Sequence, residues 1–505
     1  MKKATKIFLS MIVFATLSWS TNITTWKTNY NSGSDIWIEL EDKLNNTQDW
    51  VGIYPVGSDN AWNNVVDWRW AKDTSKTQVD QGNWYKFDLE DGKYEARFFL
   101  NNSFIVEDKV TFSVGEQQEL IISIDNIDGY SIKNMRKLYV SNRGNDNYLG
   151  TKDKPFKSLK EALSIAKSND IIYLREGKYD LNRLVINKSG TKDKPIIITP
   201  YNNEKVIFQG DDKNSASDFR IEGNWIILKD IEITDAFNGV RLTSGASHNR
   251  IINVISHHNK FSGFMIEDEA SYNTFKNCDA HHMKNYGNGD GFGAGDRTDA
   301  DNFLESEGKG NKFINCRAWD NIDDGFDFYG SAYPIEVTGC LAWKNGSTID
   351  GNGFKFGPDN KQLKGKSKHL ITNCMAWKNT INGFMYNDNM SQVTLKNNTS
   401  YDNHHIDILG ANFRVLSSST IKNNISILPR VESDLRQYEN LNIASLSNKN
   451  SWGIIPEEDE SIREEFISMD DSTITGKRNN DGTLPKNDFL KLKPNSKLKG
   501  MGRIK

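Results

Sequence analysis

One phrase, N-x-x-A/S-x-x-N, recurs down the middle of the chain and constrains its fold more than any bulk property does. It begins at Asn253, Asn277, Asn315, Gly339, Asn373 and Asn397, at intervals of 24, 38, 24, 34 and 24 residues. The two long intervals equal one 24-residue unit carrying an insertion of 14 or 10 residues. A fixed short period is the mark of a solenoid, in which each unit buries its apolar face only against its neighbours. Alternating segments (NRIIN, NTFKN, NKFIN, HLITN) precede the anchors, and Gly-Phe pairs open further segments at Gly263, Gly291, Gly325, Gly353 and Gly383. The segments are too short and too rich in Gly and Asn for helices, so the period predicts an all-β chain built around a right-handed parallel β-helix. A second asparagine recurs six residues after most anchors, at Asn259, Asn321, Asn345, Asn379 and Asn403, with Met283 interrupting. Asparagine tolerates left-handed backbone and its amide can bond from coil to coil, so these positions read as structural.

The rest of the 505 residues divides around that array. Residues 1–20 carry Lys2, Lys3 and Lys6, an apolar run from Ile7 to Leu17 and then small residues. This is the layout of a secretory signal peptide, and the run is too short to span a bilayer. The product is expected to be secreted or periplasmic. Residues 21–124 alternate in short runs (IWIEL, WVGIY, YEARFFL, VTFSV) between Gly, Asn and Asp clusters, which predicts a small antiparallel β-sandwich. Its Trp62, Trp68, Trp70 and Trp84 fit either a sugar-stacking platform or, the favoured reading, ordinary packing. A linker is expected over 125–136, the β-helix over 137–430 and a C-terminal segment packing on it over 431–505. Ser158 with Glu161 forms a capping box, and Phe156, Leu159, Leu163 and Ala166 make one apolar stripe, so a helix is expected to plug the open end of the solenoid.

Net charge is −4, without the cationic footprint of a nucleic-acid binder, and no later stretch reads as a membrane span. The chain is expected to act as a monomer on an acidic polysaccharide. Cys278, Cys316, Cys340 and Cys374 share one phase of the repeat. Stacked side chains point in parallel, a poor start for disulfides, so buried free thiols are expected.

Ionisable residues peak on three consecutive coils. Aligned on the Gly-Phe pairs, the slot after Phe holds Met265, Gly293, Asp327, Lys355 and Met385, and the slot before Gly holds Ser262, Asp290, Asp324, Asn352 and Asn382. Asp327 and Lys355 should therefore lie one above the other on the outward face of one sheet, roughly 4.8 Å apart. With Asp290, Asp323 and Asp324 close by, such a crowd of carboxylates needs a compensating cation. An oxygen-only ligand set fits Ca²⁺ better than zinc, and Mg²⁺ prefers fewer carboxylates and retained water. Partial desolvation beside a dication favours the neutral amine of Lys355, which is then a base.

These residues also carry a family resemblance. DGFGAG at 290–295, NCRAWDNIDDGFD at 315–327, GNGFKFG at 351–357, NGFMYND at 382–388, NNTSYDN at 397–403 and the DGTLPKNDFLKLK tail resemble pectate lyases of polysaccharide lyase family nine, over roughly residues 137–505. The resemblance implies calcium-dependent cleavage of polygalacturonate, with calcium on Asp290, Asp323, Asp324 and Asp327 and the Brønsted base at Lys355. Gly295 departs from the family, whose members commonly show lysine there, and the insertion DRTDADNFLESEGKG follows it. Two alternatives stay open: a lyase or hydrolase of another uronate-containing glycan, and a non-catalytic, calcium-stabilised glycan-binding solenoid. Arg297, Arg317 and Arg414 are candidate carboxylate clamps.

Overall fold

The structure, a computed structural model, describes residues 23–503 except 26–28, 31–32, 34, 41–46, 73–82, 116–125, 182, 286, 296–307, 332, 348–349, 358–366, 388, 390, 404–410, 415–418, 428–437, 440–449 and 456–458. The expected signal peptide lies outside the described residues. The chain divides into two compact units, Met1–Ser123 and Ile124–Lys505. No helix among the described residues is long and apolar enough to cross a membrane.

The first unit pairs a three-stranded sheet with a five-stranded one, mostly antiparallel. Alternation sets its core: in Ile36–Leu40 every second side chain is buried, and Ile36, Ile38, Val51, Ile53, Phe87, Ala96, Phe98 and Phe112 share one cluster. Trp50 is buried, Trp68 and Trp70 are half-buried beside it, and Trp62 is exposed; the Trp84 side chain lies outside the described residues.

Among the described residues of the second unit, three parallel sheets of 11, 10 and 10 strands form a β-helix. Each strand pairs in register with its equivalent one coil on, as in Phe292↔Phe326↔Phe354. In-register stacking turns the sequence repeats into ladders. Phe264, Phe292, Phe326, Phe354, Phe384 and Phe413 stack face to face with ring centroids 4.7–4.9 Å apart. The asparagine roles separate. The anchors Asn253, Asn277, Asn315, Asn373 and Asn397 take left-handed φ of 53–60°, with Gly339 at 69°. The buried second series bonds amide to amide, Asn321 to Asn345 at 2.9 Å, Asn345 to Asn379 at 2.9 Å and Asn379 to Asn403 at 2.8 Å. Gly325 is demanded by this packing, since a Cβ there would lie 2.7 Å from the Gly353 carbonyl oxygen and 2.9 Å from Asn345 Nδ2. All four cysteines are buried free thiols.

The helix Leu159–Ile165 starts at Ser158, whose hydroxyl accepts the Glu161 N–H at 3.1 Å, and its Leu159, Ala162 and Leu163 join the solenoid core beside Leu138 and Leu184. At the far end Ile455, Phe466, Ile474, Phe489 and Leu498 pack on Leu341, Trp343, Met375 and Trp377, the outer face of the second sheet. Two boundaries differ from expectation. The segment 125–136 is no free linker: Ile127, Ile132 and Met135 pack on Ile171, Ile197, Ile227 and Ile252 outside the first sheet. The coil also runs past 430, because Tyr438–Glu439 adds a parallel rung to the third sheet. Apolar spacing in the first segment is too brief to read as periodic, and the last rung follows an insertion.

Two predictions follow from the packing. Removing residues 1–123 should leave the thermal midpoint of the solenoid unchanged, whereas removing 1–135 should lower it by uncovering the isoleucine face, at about 1.5–3 kcal/mol for each large apolar side chain lost; calorimetry on the two truncations tests this. The second concerns His369, which is fully buried, accepts the Ile335 N–H at Nδ1 (3.1 Å) and donates from Nε2 to the Phe356 carbonyl (3.2 Å). Burial pushes its pKa down to about 4, although the bond to Phe356 acts the other way. The unfolded ring therefore takes a proton before the folded one, and stability present above about pH 6.5 is lost as the pH falls towards 4, by on the order of 3 kcal/mol. Denaturant unfolding at pH 7 and pH 5 should show that loss, and His369→Asn should flatten it.

Candidate active site

The site lies on the third sheet, where the strands Phe326–Asp327 and Phe354–Lys355 are neighbouring rungs. Strand alternation buries Phe326, Phe328, Phe354 and Phe356 and turns Asp327 and Lys355 outward between them. The register pairs Asp327 with Lys355, flanked by Gly293 below and Met385 above, as the Gly-Phe alignment predicts.

Lys355 Nζ is 2.9 Å from Asp324 Oδ2, 3.4 Å from Asp350 Oδ2 and 3.7 Å from Asp327 Oδ2. Its side chain is 12 % exposed, and those of Asp324 and Asp327 are 0 % and 8 %. The slot before Gly forms a second buried ladder. Asp290 Oδ1 accepts the Asp324 N–H (3.1 Å), Asp324 Oδ1 accepts both the N–H (2.6 Å) and the side-chain amide (2.7 Å) of Asn352, and Asn382 donates to Asn352 Oδ1 (2.7 Å). Two sets of carboxylate oxygens converge within 4.8 Å: Asp290, Asp324 and Asp327, and Asp323, Asp324 and Asp350.

Without a cation this arrangement is electrostatically unbalanced. Burial first, and then the charges of Asp324 and Asp290, push the Asp323 carboxyl up to about 10. Asp324 is also raised well above the carboxylate range by burial, against the pull of Lys355. Burial favours the neutral amine of Lys355, but Asp324, Asp327 and Asp350 outweigh it and hold the proton firmly. Asp323 Oδ1 is buried with no hydrogen-bond partner, and Asp324 Oδ2 meets Lys355 at ion-pair distance without hydrogen-bond alignment. Oxygen-only donors, more negative than positive charge and an orphaned carboxylate oxygen fit a hard dication, and the ligand number suits Ca²⁺.

All five residues singled out in the sequence come together here: Asp290, Asp323, Asp324, Asp327 and Lys355. Asp350 was missed. It stands five residues before Lys355 in a loop insertion, outside the aligned slots, and its only sequence signal is an acid next to Gly351-Asn352. Arg317 is elsewhere, on the second sheet, held by Asp279 at 2.6 Å and by the Ile474 and Gly476 carbonyls of the C-terminal segment. Arg414 shares the outward column of Lys355, two rungs on. Arg297 and the insertion acids Asp296, Asp299 and Asp301 lie outside the described residues. Gly295 has φ +137°, and a Cβ there would lie 2.0 Å from the Tyr329 carbonyl oxygen, so no lysine fits this backbone.

Comparison with known proteins bears on the family and the fold. Residues 138–424 match the family model described as "Pel9A-like, right handed beta helix region". Pectate lyase L of Dickeya dadantii is 32% identical over 405 residues, covering 75% of this chain and 88% of its own. Pectate lyase PEL9 of Emericella nidulans is 29% identical, over 70% and 91%. The crystal structure of pectate lyase Pel9A superposes with a TM-score of 0.60 at 31% identity, over 74% of this chain and 92% of that one.

The charge imbalance predicts that Asp323→Asn stabilises chelator-treated protein and raises its thermal midpoint, by on the order of 1–3 kcal/mol in unfolding free energy, because a buried carboxyl that must take up a proton to fold is replaced by an amide that is neutral without one. Calcium should raise the midpoint of wild type more than that of the variant in the same calorimetric series.

Proposed function

The chain belongs to the Pel9A-like right-handed β-helix family and is a polysaccharide lyase, and on that premise we propose that it cleaves polygalacturonate by β-elimination, with Lys355 as base and calcium held by Asp290, Asp323, Asp324 and Asp327. The observation that carries this reading is an amine stacked in register on a buried carboxylate cluster, 2.9 Å from Asp324. Asp350 joins the same cluster and fits as a further oxygen donor or as an anchor for the amine.

In a uronate, the C5 proton lies α to a carboxylate and is too weakly acidic for an amine unless that carboxylate is neutralised. When bound, calcium supplies that neutralising charge and steadies the negative charge that builds up on the carboxylate as the proton leaves. The chain's own residues do the rest. Asn352 fixes the Asp324 carboxylate with two hydrogen bonds, and Tyr329 N–H donates to Asp327 Oδ1 at 3.0 Å, so the acids are oriented before substrate arrives. Once their charge is offset, burial favours the neutral form of Lys355. Its amine takes the C5 proton, the C4–O bond breaks, and the electron pair left on C5 forms the C4–C5 double bond of an unsaturated uronate. No nucleophile and no covalent intermediate are needed. Residues 1–20 support export as part of the same reading, since the polymer is too large to enter a cell.

Lys355→Ala should lose about 10²- to 10⁴-fold in turnover, with substrate binding kept, and Lys355→Arg should also be poor because guanidinium stays protonated. Asp327→Ala should recover part of its activity in excess calcium, which the lysine variant cannot. Ultraviolet absorbance of the unsaturated product over a panel of uronate polymers, with and without calcium, measures all of this. An active Lys355→Ala enzyme would remove the base, and a preference for another polymer would move the substrate but leave the chemistry.

A further inference from the structure

Four histidines stand together on the second sheet, away from the acidic cluster. His257 ends the strand Ile255–His257 and His281 ends the strand Asp279–His281 on the next coil, and the register pairs them directly. Each is followed by another histidine, His258 and His282. Consecutive side chains on a strand point to opposite faces, but His258 and His282 have left-handed φ of 54° and 58°. That turn folds each second ring back beside the first.

The result is two converging pairs. Nδ1 of His257 is 2.7 Å from Nδ1 of His258, and Nδ1 of His281 is 2.8 Å from Nδ1 of His282. Parallel stacking then repeats the pair, with ring centroids 5.0 Å apart for both His257–His281 and His258–His282. Two ring nitrogens at this separation share one hydrogen, and they would have to part to about 3.3 Å to share one tetrahedral cation. Glu232 bears on where that hydrogen sits, because its Oε1 lies 3.1 Å from His257 Nε2. Its other oxygen, Oε2, is 3.6 Å from Lys205 Nζ. An N–H donated from Nε2 to that carboxylate leaves His257 Nδ1 as an acceptor, set between His258 Nδ1 at 2.7 Å and the Thr234 hydroxyl at 3.3 Å. A carboxylate behind an imidazole is the arrangement that orients metal-binding histidines. Neutral imidazole is the form that ligates, and in each pair the first ring is half-buried while the second opens to solvent. The same left-handed slot is filled by Asp235 one coil before and Asp320 one coil after, so carboxylates border the imidazoles on both sides. Lys284 Nζ, 3.1 Å from Asp235 Oδ1, is the cation already at that edge.

We propose that His257, His258, His281 and His282 form a binding site for a divalent transition metal of the zinc, nickel or copper class, which clips two successive coils together. Imidazole donors select these ions over calcium, so the site is chemically separate from the carboxylate cluster. As they stand, no three of these rings bring a nitrogen each within 4.8 Å of one another, so a shared ion requires the rings to tilt about their side-chain bonds until the nitrogens sit about 2.0–2.1 Å from it. His258 and His282 are exposed, so an ion can enter from solvent. Trp319 stacks on His281 at 4.3 Å, which places a fluorophore against the site.

The test uses full-length protein carrying no polyhistidine tag, treated with chelator and returned to excess calcium. Zinc chloride is titrated in by calorimetry and by competition with a chromogenic chelator, and copper is titrated while tryptophan emission is followed. One equivalent of zinc should bind with micromolar or tighter affinity, and copper should quench part of the emission. The double substitution His258→Ala and His282→Ala, at exposed positions, should weaken zinc by about tenfold or more, abolish the quench and leave calcium-dependent cleavage unchanged. No zinc uptake at micromolar concentration, or the same uptake in wild type and the double variant, would overturn the proposal and leave the rings as hydrogen-bonded pairs.

Discussion

In-register parallel pairing between coils is the constraint on which everything else in the solenoid rests. Because each strand bonds to its equivalent one coil on, every side chain sits above the residue in the same slot of the neighbouring coil. Stacking of like on like suits phenylalanine, whose rings meet face to face, and asparagine, whose amide is both donor and acceptor. It does not suit aspartate, which only accepts. The ladder Asp290–Asp324 is therefore continued by Asn352 and Asn382, which supply the donors the acids lack. The outward column changes from Asp327 to Lys355 at the same place.

Among the described residues, the acids exceed the single lysine that faces them. Five carboxylates, those of Asp290, Asp323, Asp324, Asp327 and Asp350, gather around one amine, and burial removes the water that would otherwise screen them. This imbalance connects structure to the proposed chemistry. The charge that makes the cluster attractive to a hard dication also keeps Lys355 protonated until that charge is offset. Phe326, Phe328, Phe354 and Phe356, on the inner face of the same strands, anchor the backbone beneath the cluster in the buried core.

Much of this was legible in the sequence, for a physical reason: a one-dimensional repeat converts spacing directly into spatial position. The Gly-Phe phase alone set Asp327 beneath Lys355, and the asparagine and cysteine phases announced their ladders. What escaped lies where the phase is broken. Asp350 sits in an insertion before Gly353, so its offset carries no information about its place. Ile127, Ile132 and Met135 form a strap too short to show a period, which is why 125–136 read as a linker. Arg317 looked like a candidate clamp because its strand resembles the others, but its phase belongs to the second sheet, where Asp279 and the C-terminal segment hold it. The histidine pairs are not legible in the sequence because consecutive residues on a strand ordinarily diverge, and only the left-handed turn at the second brings them together.

The central claim is that the amine of Lys355 and a calcium ion share one set of carboxylates. Calorimetric titration of calcium into chelator-treated Lys355→Ala protein, beside wild type and without substrate, tests it most directly. Sharing predicts tighter calcium binding in the variant, because the ion no longer competes with a positive amine for Asp324 and Asp327. Weaker binding in a folded variant would contradict it, since the lysine would then be supporting the ion's ligands and not competing for them.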